Sequence, residues 1–164
     1  MQIVDREKTL LWLTQQGIPI PADKPEFPGF LAVINSAIPS DSGKKTALSR
    51  AIASLFDTNE EALLWINEFG IWPSSEDAYL FHGFRRFLGE YSPLHEKPGH
   101  LFSKDDLEAI ASLIAMMLYF VWGGVLYSRA KGLAIVISHD EFVTVHVRNR
   151  VDVSFFKERL KDFL

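Results

Sequence analysis

The sequence predicts an α+β protein that is predominantly helical over its N-terminal two-thirds and then forms a three-stranded antiparallel meander and a C-terminal helix. Up to about position 121, apolar residues recur mostly every three or four positions, which is the period of an amphipathic helix. From Val125 onward the period shortens to two, most clearly where Val143, Val145 and Val147 alternate with polar residues. Helices followed by a run of strands indicate an α+β arrangement. The length of 164 residues suits one domain over 1–164.

The first third of the chain predicts two helices separated by a proline-rich segment. Asp5 is placed to cap a helix that ends at Gly17, and the prolines between positions 18 and 29 exclude a helix there. The short apolar run at 30–34 fits either a strand or a helical turn, because periodicity does not separate the two. A turn at 39–43 then leads into a helix whose apolar face carries Leu48, Ala51, Ile52 and Leu55.

Two further helices are expected in the middle of the chain. Residues 58–61 have the composition of a capping box, so they predict the start of a helix that ends at Gly70 and buries Ala62, Trp65, Ile66 and Phe69. Ser75 is placed to cap the next helix, which ends near Gly89 and carries Leu80, Phe84 and Phe87 on its apolar face.

The uncharged stretch Ala109–Ser128 is long enough to raise the question of a membrane span, which needs about 20 apolar residues. Ser103 resembles a helix N-cap, and the apolar residues that follow have helical spacing. The pair Gly123 and Gly124 interrupts the run before a strand begins. The stretch therefore predicts a central buried helix ending near Val121, and no membrane partner.

The last third predicts strands at 125–127, 133–137 and 143–147, followed by a helix that begins at Asp152 or Ser154. In the third strand, the three valines should be buried while Thr144 and His146 face solvent or a shallow groove. A slip of one residue would exchange the two faces.

Composition excludes several classes of protein. The chain has no cysteine, so disulfides and thiolate chemistry are absent. A net charge of −4 without a basic patch argues against nucleic-acid binding. The N-terminus lacks the features of a secretory signal, so a cytoplasmic location is expected. Ser42–Thr46 lacks the glycine and the hydroxyl that a phosphate-binding loop requires, and no histidine pair has helical metal spacing. We expect no cofactor and no metal.

An acidic stretch provides the leading functional hypothesis. No lysine or arginine lies between Arg50 and Arg85, whereas acids are frequent there. An acidic helical face beside an exposed aromatic residue would suit a basic protein partner. The expected binding residues are Glu60, Glu61, Glu68, Trp72, Glu76 and Asp77. This pattern favours a small soluble binding module, of the kind found in immunity and antitoxin proteins that block a basic enzyme. Packing of Trp72 in the core remains the simpler alternative.

The alternative hypothesis is a hydrolase. His139, Asp140 and Glu141 form the densest ionisable cluster, and imidazole with carboxylate suits acid–base chemistry. His100 or His146 would have to complete such a site. Polar residues are also what a hairpin turn requires, so the same cluster is compatible with a turn of no catalytic role.

Overall fold

The computed structural model describes residues 1–20, 26–56, 61–69, 79–103, 105–128, 132–150 and 153–163. The elements, in chain order, are β1 (Gln2–Val4), α1 (Arg6–Gln15), β2 (Leu31–Ala37), α2 (Ser42–Ser54), β3 (Ala62–Glu68), α3 (Tyr79–Phe87), β4 (Gly99–Phe102), α4 (Leu107–Phe120), β5 (Gly123–Ser128), β6 (Leu133–Ile137), β7 (Phe142–Val147), α5 (Val153–Leu160) and a 3₁₀ turn (Lys161–Phe163).

Within the described residues, seven strands form one sheet in the order β1-β4-β3-β5-β6-β7-β2. Every neighbouring pair of strands is antiparallel. The α+β class is therefore correct, but the predicted arrangement is wrong. The expected three-stranded meander is β5-β6-β7, and it is one part of a sheet to which the N-terminal two-thirds contributes the other four strands.

The main hydrophobic core lies on one face of this sheet, called here the helical face. Strand residues such as Leu64, Leu126, Ile135 and Val145 are buried there against α2, α4 and α5. Ile52 of α2 and Ile114 of α4 are fully buried, and Phe156 and Leu160 of α5 complete the layer.

A second, smaller core lies on the opposite face, called here the α1 face. Leu63, Tyr127 and Ala134 are buried there beneath Leu13 of α1 and Ile18. Phe30, from the chain between α1 and β2, packs on the Tyr127 ring with 6.1 Å between centroids. This face is less completely covered near the ends of β3 and β6, where Glu68 and Val136 are only half-buried, whereas every residue of β5 is buried.

Strand β3 is the main error of the sequence prediction, which places a helix over these residues. Ala62, Leu64 and Ile66 face one core while Leu63 and Trp65 face the other. A central strand buried on both faces is a continuous apolar run. Such a run also satisfies helical spacing by chance, so the pattern alone misleads.

The N-terminal part contributes three further strands: β2, whose segment the sequence leaves as a strand or a helical turn, and β1 and β4, which the sequence does not predict. The run at 30–34, which fits a strand or a turn, belongs to the edge strand β2. Strands β1 and β4 are not expected from the sequence, and they pair with each other through Ile3 and His100. The predicted burial of Val143, Val145 and Val147 in β7 is confirmed, and Thr144 and His146 lie on the opposite face, where both are half-buried.

Helix α4 is the predicted buried helix, although it begins after Asp106 rather than at Ser103. It ends where Val121 adopts a left-handed conformation with φ of 55°. Gly124, just beyond, permits close packing: a Cβ there would lie 2.7 Å from the Met117 methyl and 2.6 Å from the Trp65 carbonyl oxygen. None of the helices in the described part of the chain has the length and apolarity needed to cross a bilayer.

Candidate functional site

The candidate site lies on the α1 face, where β3 and β6 end and β5 begins. Two adjoining cavities of about 390 and 150 Å³ open there, and both are lined by Asn67 and Glu68. We call the two together the Glu68 groove. The larger is also lined by Trp65, Phe69, Pro98, His95 and Arg6, and the smaller by Gly124, Val125, Val136, Ile137, Ser138, His139 and Asp140.

An irregularity in β3 directs Glu68 into this groove. Ile66 is paired with Gly124, but Glu68 is paired with Gly123, so Asn67 is an extra residue on the β3 side. A bulge of this kind changes which face the following side chain occupies. Without it, Glu68 would share the helical face with Ile66 and would bury a carboxylate in the core.

Two neighbouring residues determine the position of the Glu68 carboxylate: His139 forms a hydrogen bond with it, and Gly123 leaves room for it. Its Oε2 lies 2.7 Å from Nδ1 of His139, which is a short, strong hydrogen bond. On the other side, Gly123 supplies the necessary space, because a Cβ at that position would lie 2.3 Å from the same oxygen. Both side chains of the pair are about one-quarter exposed, so the pair remains accessible to a ligand while held in place.

The turn from Ser138 to Glu141 positions the imidazole. The Ser138 amide donates to the Phe142 carbonyl at 2.8 Å, and the Glu141 amide donates to the Ser138 carbonyl at 3.1 Å. The Asp140 amide donates to the Ser138 hydroxyl at 3.1 Å. Glu141 adopts φ of 62°, an unusual conformation for a residue other than glycine. Strain of this kind is concentrated at functional sites.

The groove combines negative charge with hydrogen-bonding groups. Oδ1 of Asp140 lies 3.5 Å from Nε2 of His139, so the imidazole stands between two carboxylates. Among the described residues, the smaller cavity is lined by no lysine or arginine. Arg6 lines only the larger cavity. Chemically, the arrangement can accept hydrogen bonds from a cationic group or transfer a proton through His139.

The two other candidate histidines do not join His139. His100 is fully buried on β4, with its ring 5.9 Å from the Phe81 ring between centroids. Burial and then the charge of Arg85 lower the pKa of His100 to about 3, although the backbone of Leu64 and Pro98 opposes the shift. His146 packs against Phe27 at 5.2 Å between ring centroids, and burial lowers its pKa. Both are packing residues in this arrangement.

Two residues of the expected acidic helical face are described, and neither lies on a helix: Glu68 is the last residue of β3, and Glu61 directly precedes this strand. Glu61 and Glu68 lie at opposite ends of β3, roughly 20 Å apart at the rise of an extended strand. Glu61 accepts a hydrogen bond from Nε1 of Trp12 at 3.3 Å and lies outside the groove. The other expected binding residues lie outside the described part of the chain: Glu60, Trp72, Glu76 and Asp77.

No group of three or more histidine, aspartate or glutamate side chains that could hold a metal ion occurs among the described residues. No protein-family model, no curated protein and no solved structure matches the chain.

Sequence reasoning finds most of the charged groups of this site but not their association. It places Glu68 on a binding surface and His139 in a catalytic turn, whereas the structure brings the two into one hydrogen bond across 71 residues of sequence. It misses Gly123 and Asn67 as site residues. The only signal for them is the Gly123-Gly124 pair, which indicates a chain interruption but not the carboxylate that it accommodates.

Proposed function

We propose that the protein is a cytoplasmic protein-binding module whose Glu68 groove recognises a basic side chain of its partner. The supporting observation is the Glu68 carboxylate, which is held in an accessible groove by His139 and Gly123. Asp140 adds a second carboxylate at the rim. An inhibitor that blocks a basic enzyme, as immunity and antitoxin proteins do, would use such a groove.

The size and polarity of the groove support this proposal. Val125 and Val136 give the smaller cavity an apolar wall, and Glu68 and Asp140 give it charge. A long basic side chain has the same two parts, because its methylene stem packs on apolar surface while its head group binds carboxylate. Arginine suits the groove better than lysine, since its guanidinium can donate to more than one acceptor at once.

The experiment uses two matched small probes. Acetyl-arginine amide and acetyl-citrulline amide have nearly the same shape, but only the first is charged. In ¹⁵N-resolved NMR titrations, we expect the arginine probe to shift the amide signals of Asn67, Gly124 and Ser138 in a saturable manner, and the citrulline probe to leave them unchanged. Equal effects of the two probes, or no effect of either, would contradict the proposal.

Two variants identify the carboxylate responsible. Glu68→Gln preserves the shape of the side chain and removes its charge, so binding of the arginine probe should weaken by about tenfold, the loss of one charge-assisted hydrogen bond. Glu61→Gln is the matched control, because Glu61 lies at the far end of β3, away from the groove. Glu61→Gln should bind the arginine probe with the same affinity as the wild type.

Acid–base catalysis is a second candidate function, and one observation favours it. A carboxylate that holds Nδ1 of a histidine at 2.7 Å fixes the orientation of the ring, as in many general bases. A catalytic role predicts hydrolysis of activated esters such as p-nitrophenyl acetate above the buffer rate. That excess rate should fall equally in Glu68→Gln and His139→Gln. A rate that neither variant changes would dismiss this candidate.

A further inference from the structure

A second site lies on the helical face, around the ring of Phe81. Three polar side chains pack against this ring: the Arg85 guanidinium carbon at 5.7 Å from its centroid, the Trp122 ring at 4.9 Å and the His100 ring at 5.9 Å between centroids. Arg85 and His100 are fully buried, and Trp122 is almost fully buried. None of these groups belongs to the Glu68 groove.

The hydrogen bonds of these groups are incomplete. An arginine side chain has five N–H donors. Within the described residues, Arg85 uses Nη2 to donate to the Lys97 carbonyl at 2.9 Å, while Nε and Nη1 have no acceptor. Nε1 of Trp122 likewise has no acceptor there, and neither ring nitrogen of His100 makes a hydrogen bond of good geometry. A buried charge with unsatisfied donors is strongly unfavourable.

The local charge is also unbalanced. Glu90 is the nearby carboxylate, but its Oε2 accepts from Nζ of Lys97 at 2.8 Å and its Oε1 accepts from the Ser92 amide at 2.7 Å. Two cations, Arg85 and Lys97, therefore share one carboxylate. His100 adds no charge near neutral pH, since burial and the charge of Arg85 hold its pKa at about 3. Among the residues that the structure describes, one positive charge remains without a counterion.

We propose that Arg85 and the indole N–H of Trp122 form an internal binding site for a small monovalent carboxylate. One such anion would neutralise the remaining charge and accept hydrogen bonds from donors that otherwise have none. Phe81, Arg85 and His100 are fully buried, and this shielding from solvent strengthens the interaction between the guanidinium and the anion.

Formate is the smallest probe of this class. Thermal unfolding is followed while sodium formate replaces sodium gluconate at constant ionic strength, since gluconate has the same charge but is too bulky to enter a buried site. Ligand that binds only the folded state raises the Tm, by about 3 °C at a tenfold excess over Kd for a chain of this size. We expect a saturable rise of this order. A Tm that does not depend on formate would overturn the proposal.

Variants test whether Arg85 is responsible. Arg85→Met removes the charge at similar length, so its Tm should not respond to formate. Arg86→Met is the matched control on the same helix, because Arg86 is exposed, and its Tm should respond as the wild type does. An equal response of Arg85→Met would overturn the proposal. If Arg85→Met does not fold, Trp122→Phe is measured instead. Because this variant lacks the indole donor, the formate concentration that gives half of the maximal rise in Tm should increase several-fold, and an unchanged concentration would overturn the proposal.

A carboxylate of the chain itself is the competing counterion. Glu76 and Asp77 lie outside the described residues, so Glu76→Gln and Asp77→Asn are measured in the same way. If the wild type ignores formate but either variant acquires a formate-dependent Tm, the chain fills the site itself and the proposal is wrong. If the wild type and both variants respond alike, the site takes an external anion.

Discussion

The carboxylate of Glu68 occupies the space that a side chain at position 123 would fill. A Cβ on Gly123 would lie 2.3 Å from Oε2 of Glu68 and 2.9 Å from its Cβ. Real Cβ atoms do not approach this closely, so the hydrogen bond between Glu68 and His139 depends on a glycine in the neighbouring strand. The bulge at Asn67 creates this relationship, because it places Glu68 opposite Gly123.

Gly123→Ala should therefore separate Glu68 from His139. We expect binding of the arginine probe to weaken by about tenfold, and the free energy of unfolding to fall by about 1–3 kcal/mol because of overpacking. NMR titration and chemical denaturation measure the two effects. In the Glu68→Gln background, Gly123→Ala should weaken probe binding little further, and an undiminished second loss would show that Gly123 acts independently of Glu68.

Gly83→Ala is the control for the added methyl group. Gly83 lies in α3, and none of the described residues has an atom within 4 Å of the position that the new Cβ would take, so the change meets no clash. It should stabilise the fold by about 0.5–1 kcal/mol, because glycine is unfavourable inside a helix. Probe binding should be unchanged.

Glu141→Gly should stabilise the protein. Glu141 adopts φ of 62° in the turn that carries His139, and glycine adopts this conformation without steric cost. We expect a gain of about 0.5–1 kcal/mol in the free energy of unfolding, measured by urea denaturation. Asp140→Gly, at a neighbouring position without a positive φ, should instead lose stability. A loss of stability in Glu141→Gly would show that its side chain contributes more than the backbone strain costs.

Acid should destabilise the fold through His100. Its pKa is lowered to about 3 in the folded protein, whereas the unfolded chain takes up a proton near pH 6.5. The stabilising contribution is therefore complete above pH 6.5 and is lost as the pH falls below it. Between pH 7 and pH 5 the loss from one such histidine is about 2 kcal/mol. Denaturation at both pH values should show a smaller loss in His100→Gln than in the exposed control His95→Gln.

The elements that can be predicted from the sequence are those in which the apolar residues follow one clear period. The buried helix α4 and the alternating strand β7 each bury one consistent set of side chains, so periodicity identifies them. Strand β3 is not identified because it is buried on both faces, which removes alternation. Strands β1 and β4 are only three and four residues long, too short for any period to be visible.

The candidate site is predictable only in part, because it depends on tertiary pairing. The turn composition at 138–141 indicates polar chemistry around His139. The partner Glu68 cannot be inferred, since a helical assignment for β3 places it on a different surface. The sequence does not indicate where a bulge occurs. Asn67, the extra residue that redirects Glu68, therefore could not be predicted as part of the site.

The most direct test of the proposed recognition site is the salt dependence of arginine-probe binding by the wild type and by Glu68→Gln. Salt weakens the attraction between the guanidinium of the probe and the Glu68 carboxylate, so the affinity of the wild type should fall as the salt concentration is raised. Glu68→Gln should bind the probe about tenfold more weakly at low salt, and its affinity should depend less on salt. An affinity of the wild type that is independent of salt, or a Glu68→Gln variant that retains the full affinity and its full salt dependence, would contradict recognition at Glu68.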